Sequence, residues 1–76
     1  MTGKQRLFSS EEIIAALVRF GFREGPRKGS SHGIFLREAN GRKCRIPIPL
    51  HKKEIPRSTF NDILREAGIT YDEFLD

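Results

Sequence analysis

Residues 32–49 read HGIFLREANGRKCRIPIP, two runs of mixed apolar and charged residues on either side of Asn40-Gly41. Asn-Gly favours a two-residue type I′ turn, because both central positions need positive φ. A two-residue loop sets Ala39 opposite Arg42, Phe35 opposite Ile46 and Gly33 opposite Ile48, within strands expected over 32–38 and 43–49. Opposed residues share a face and successive residues alternate. Phe35, Cys44, Ile46 and Ile48 then form one apolar side that needs covering. His32, Ile34 and Leu36 lie on the other, beside Lys43, Arg45 and Pro47. Pro47 and Pro49 have the same parity, so both missing amides fall on one side of the strand, which must be an edge.

The flanks supply the cover. Phe8-Ser9-Ser10-Glu11-Glu12-Ile13 combines a capping box (Ser9 with Glu12) and a hydrophobic staple (Phe8 with Ile13), starting a helix over about 10–20 that Gly21 ends. Ile13, Ala16, Leu17 and Phe20 make its apolar stripe. Pro56 opens a second helix in which Phe60, Ile63, Leu64 and Ala67 repeat at three and four before Gly68. Thr70 and Glu73 form another capping box, with Ile69 and Phe74 as staple, predicting a short terminal helix over 71–75. With a first strand over 22–24, the order is α-β-β-β-α with both helices on one face. The class is α+β, and residues 1–76 form a single domain with no repeat, linker or low-complexity segment.

Charge is concentrated in the middle. The chain has 14 Lys and Arg against 10 Asp and Glu, yet residues 19–57 hold 11 basic and three acidic residues, a local charge of +8. Such a field gathers polyanions and points to nucleic acid, or to an acidic protein partner. A single cysteine, Cys44, allows no internal disulfide and fits a reducing compartment. No apolar run approaches the roughly 20 residues of a membrane span, and the N-terminus lacks a signal-peptide core. A cytoplasmic protein is expected.

One Cys and two His on separate elements make no metal set, no cofactor is expected, and Cys44 points coreward, so it is no nucleophile. Walker-type glycine spacing is absent. His32 is the residue with chemistry to offer, since an imidazole can give or take a proton near neutral pH. It ends Lys28-Gly29-Ser30-Ser31-His32, and taken alone that run reads more simply as a turn. His51 would be its diagonal neighbour, about 7–8 Å away, if the ladder ran on; the chain can instead leave the sheet at Pro49. Arg27, Lys28, Lys43, Arg45, Lys52 and Lys53 are candidate phosphate contacts. Ile34 and Leu36 are expected as exposed apolar residues that a partner would cover.

Four stretches, LVRFGF (17–22), KGSSHGIF (28–35), NGRKCRIPIPLH (40–51) and EIPRSTFNDILREAGI (54–69), together resemble the HicA toxins, messenger-RNA-cleaving members of bacterial toxin–antitoxin pairs. The resemblance implies a double-stranded-RNA-binding-domain-like fold and a metal-independent endoribonuclease (mRNA interferase) in which the histidine of Gly-Ser-x-His, His32, is catalytic. It also implies a HicB-type antitoxin that masks this histidine. Lys28 and His51 are possible helpers. The expected RNA contacts are Arg27, Lys28, Ser30, Ser31, Lys43, Arg45, Lys52 and Lys53, and the expected antitoxin contacts are His32, Ile34 and Leu36. The free toxin would be a monomer, joining a hetero-oligomer with its antitoxin. Family members often carry a second histidine, an aromatic or another polar residue after the motif histidine, where this chain has Gly33. The rival readings are a non-catalytic RNA-binding module of the same fold and an adaptor whose basic face docks an acidic protein.

Overall fold

The computed structural model describes residues 6–26 and 31–76. At its centre is the hairpin of β2 (His32–Ala39) and β3 (Arg42–Pro49), joined by Asn40 at φ 55° and Gly41 at φ 76°. The positive pair makes the expected turn, and the ladder runs from Ala39 opposite Arg42 to His32 opposite Pro49. Each strand is one residue longer toward the turn than the sequence pattern indicated. β1 (Arg23–Glu24) pairs antiparallel with β2, Arg23 opposite Leu36 and Glu24 opposite Phe35, giving the sheet order β1-β2-β3. Phe22 falls outside β1, its N–H donating instead to Leu17 O at 2.9 Å in the exit from the first helix. β3 is an edge strand, as its two prolines require.

The helices follow their local chemistry. α1 (Ser10–Arg19) begins with the full capping box: the Glu12 N–H donates to Ser9 Oγ at 3.1 Å and the Ser9 N–H to Glu12 Oε1 at 2.9 Å. Arg6 donates to the same carboxylate at 2.7 Å. That bond first, then the Ser9 amide, holds the Glu12 carboxyl down to about 2. A carboxyl depressed in the folded state stabilises the fold above the ordinary carboxylate range, a contribution lost as the pH falls toward 2. α1 closes with Phe22 N–H on Leu17 O and Gly21 N–H on Val18 O, Gly21 being left-handed at φ 93°. α2 (Arg57–Ala67) ends in the same 6→1 and 5→2 pattern, Ile69 N–H on Leu64 O and Gly68 N–H on Arg65 O. These paired bonds satisfy carbonyls that the helix leaves open. α3 (Tyr71–Leu75) starts with the Thr70–Glu73 box.

α1 and α2 cover one side of the sheet, and α3 packs through Phe74 on Phe8 and Phe60. Phe35, Ile46 and Ile48 meet Ile13, Leu17, Phe22, Ile55, Ile63 and Leu64 in the core, each worth about 1.5–3 kcal/mol of transfer free energy. Arg37 lies on this covered face yet is satisfied there. Its guanidinium donates to Phe20 O at 3.0 Å and Ala67 O at 3.3 Å, and lies 4.8 Å from the Phe22 ring centre. One cation thus serves the C-terminal ends of α1 and α2, where the helix dipoles favour positive charge.

The opposite face is open, with one difference from expectation: Ile34 and Leu36 are half-buried rather than exposed. The segment after β1 stays against β2 here and packs on Leu36. Gly25 N–H donates to Ile34 O at 2.7 Å, and Gly25 passes so near Leu36 that a Cβ there would stand 2.9 Å from its Cδ1. The two-residue strand pattern gave no sign that this segment stays against the sheet.

Candidate active site

His32 is the first residue of β2, opposite Pro49 at the end of the sheet away from the hairpin turn, and it is exposed on the open face. Ser31 Oγ lies 3.3 Å from its Nδ1, a contact whose donor depends on the imidazole tautomer. The backbone beneath the ring is fixed by Leu50 N–H donating to Ser31 O at 2.9 Å. Of the other expected residues of this motif, Arg27, Lys28 and Ser30 lie outside the described residues. Ser31 is described and exposed.

Gly33 faces the other way. A side chain there would meet Leu50 Cδ2 at 3.1 Å, Phe35 Cε1 at 3.2 Å and Glu24 Oε2 at 3.3 Å. The position after the histidine therefore points to the covered side in this chain and offers no substrate contact on the open face.

The ladder stops at Pro49. His51 has φ 61°, so the chain turns sharply and His51 becomes an exposed loop residue rather than the diagonal strand neighbour of His32. It shares a shallow groove with Ser9, Ser10, Glu11, Lys52 and Lys53. The side chain that makes the turn possible is Ser10, which sequence reasoning saw only as the first helical residue. It is 1% exposed. Its Oγ donates to Pro49 O at 2.6 Å and accepts from Lys52 N–H at 3.0 Å, while Ser10 N–H donates to Lys52 O at 2.9 Å. A buried serine with both hydrogen-bonding roles filled locks residues 49–52 onto the start of α1. Ser10→Ala would orphan a carbonyl and an amide, and about 1–3 kcal/mol of stability should be lost. A urea titration of both proteins checks this; an unchanged midpoint would mean that water replaces the hydroxyl.

The open face carries its cations at intervals. Lys43 and Arg45 project there from β3, and Arg23 joins them from β1 because it is paired with Leu36. Sequence reasoning missed Arg23; the signal for it was the β1–β2 register, which a two-residue strand does not declare. A separate groove at the hairpin turn, lined by Arg37, Arg42, Lys43, Cys44 and Arg65 among others, is remote from His32. Cys44 is half-buried and its Sγ donates to Glu66 O at 3.2 Å, matching its coreward direction. Among the described residues no three His, Cys, Asp or Glu side chains come together as a metal set, and no helix is long and apolar enough to cross a membrane.

A family model described as the HicA toxin of bacterial toxin–antitoxin systems matches residues 10–69, which span α1 to the turn after α2. No curated protein matches the chain. With that match over most of its length, and with the antiparallel sheet and helices of a double-stranded-RNA-binding-domain-like fold, the chain belongs to the HicA family of toxins.

Proposed function

We propose that the protein is a metal-independent endoribonuclease that cleaves messenger RNA with His32 as its proton carrier, and that a HicB-type antitoxin neutralises it. The observation that carries this reading is the position of His32: exposed on the uncovered sheet face, at a strand end whose register is fixed, in a chain of the HicA family. RNA holds its own nucleophile. The 2′-oxygen attacks the adjacent phosphorus as its proton leaves, the bond from phosphorus to the 5′-oxygen breaks, and that oxygen takes up a proton. A 2′,3′-cyclic phosphate and a 5′-hydroxyl result, with no water or metal consumed. DNA lacks the 2′-hydroxyl and is spared.

His32 moves one of the two protons. His51, Lys28 or water moves the other. Arg27, Lys28, Ser30, Ser31, Lys43, Arg45, Lys52 and Lys53 hold phosphates, and a cation near the scissile group offsets the charge that develops on it. The antitoxin covers His32 with Ile34 and Leu36, whose half-buried side chains give that face an apolar centre. The toxin is monomeric until it joins the antitoxin, and it acts in the cytoplasm, where its substrate is.

The test is incubation of purified protein with end-labelled RNA in EDTA. Cleavage that persists in chelator, with products ending in cyclic phosphate, is expected. RNA that is bound but stays intact would make the protein an RNA-binding module instead.

A further inference from the structure

Arg23, Leu36 and Arg45 stand in one row across the open face, from β1 through β2 to β3. Neighbouring strands lie about 4.8 Å apart, which separates the two arginine Cα atoms by roughly 10 Å with an aliphatic side chain between them. Leu36 is four residues from His32 along β2, or about 13 Å. Both arginines are exposed, and among the described residues neither makes an ion pair. A shallow depression beside Arg23 and Leu36 is lined also by Glu38 and Lys43. At the next open-face pair toward the hairpin turn, Glu38 stands opposite Lys43, so a phosphate held there would also meet a carboxylate. The row of cations with no carboxylate opposite it on this face therefore crosses the sheet at Leu36.

Resting on the ribonuclease reading above, we infer that Arg23, Leu36 and Arg45 form a subsite that holds the backbone of a single-stranded RNA, a few nucleotides from the bond at His32. The arginines take phosphates and Leu36 takes the apolar face of a sugar or base between them. Single-stranded RNA is the occupant for two reasons. Attack by the 2′-oxygen needs it in line with the departing 5′-oxygen, an arrangement that a stacked A-form duplex does not give and a flexible strand reaches. A duplex also keeps its base faces stacked inside the helix, where Leu36 cannot reach them. The open face carries no phenylalanine, tyrosine or tryptophan among the described residues, so binding there is governed by charge and depends strongly on salt.

The test uses the His32→Ala protein, to prevent cleavage, titrated with a fluorescent RNA strand and with the same strand annealed to its complement across a range of salt. The single strand should bind at least tenfold tighter than the duplex. Adding Arg23→Gln should weaken single-strand binding several-fold and reduce the slope of log K against log salt by about 0.7, the value for one phosphate contact on a single strand. Arg65→Gln, which removes an exposed helical cation paired with Asp62, should leave that slope in place. Equal binding of duplex, an unchanged slope in Arg23→Gln, or the same loss in Arg65→Gln would each overturn the subsite. If any of these appears while wild-type protein still cleaves RNA in EDTA, the subsite falls and the ribonuclease stands. If wild type neither binds nor cleaves RNA, both fall.

Discussion

Replacing His32 by alanine should reduce the rate of RNA cleavage by about 10²–10⁴-fold, the usual contribution of one positioned acid or base. The same change should leave the fold alone. His32 is exposed, its backbone pairing with Pro49 needs no side chain, and the adjoining hydrogen bond runs between the backbones of Leu50 and Ser31. Exposed substitutions of this kind stay within about 0.5 kcal/mol. Circular dichroism and thermal melting should therefore superimpose while single-turnover cleavage collapses. Bacteria expressing wild type should stop growing and those expressing His32→Ala should not. Growth arrest or cleavage that survives in a folded mutant would remove His32 from the mechanism. A His51→Ala protein sorts the second role: His51 is in a separate turn held by Ser10, so a comparable loss there would show that substrate draws the two imidazoles into one reaction.

The side of the sheet on which His32 sits was legible because few local rules decide it. Asn40-Gly41 sets a turn length, the turn sets the register, and period-two alternation does the rest. The capping boxes and left-handed glycines gave the helix ends for the same reason: each is a contact between residues a few positions apart. What was not legible depends on contacts between distant segments. Ser10 turns the chain at 49–52 only because α1 begins beside the end of β3, separated by 39 residues. Arg37 reads as one more cation of the basic middle until the ends of α1 and α2 are seen to converge on it. Leu36 reads as exposed until Gly25 is found against it. Arg23 has meaning only through a strand too short to show a pattern. The basic middle is thus not uniform: Arg37 is committed to structure, Lys43 stands opposite Glu38, and Arg23 and Arg45 are exposed on the open face.

Phe60→Ala should be the most damaging single change to the fold. Phe60 is 4% exposed on α2 and stacks on Phe8 with ring centres 5.2 Å apart, meets Phe74 edge-on at 5.0 Å and faces Tyr71 at 6.2 Å. Phe8 and Phe74 close the group at 4.7 Å. Three segments meet in these rings: the approach to α1, α2 itself, and α3. The last has five residues and cannot persist as an isolated helix. It is held by Phe74 in this cluster and by Arg19, which donates to Glu73 O and Phe74 O at 3.0 and 3.1 Å. Truncating a buried phenylalanine costs about 3–5 kcal/mol. A domain of this length has a total stability of about 4–11 kcal/mol. The loss is a large share of that, and the urea midpoint should fall steeply, whereas Phe60→Leu should keep most of it. The rings pack on the helical side and His32 stands on the open one, so the molecules of Phe60→Ala that remain folded should cleave RNA at the wild-type rate. Lower activity per folded molecule would show that the aromatic cluster and the open face are coupled through the sheet; a stability loss of less than about 1 kcal/mol would show that α3 and the α1 approach repack without the ring.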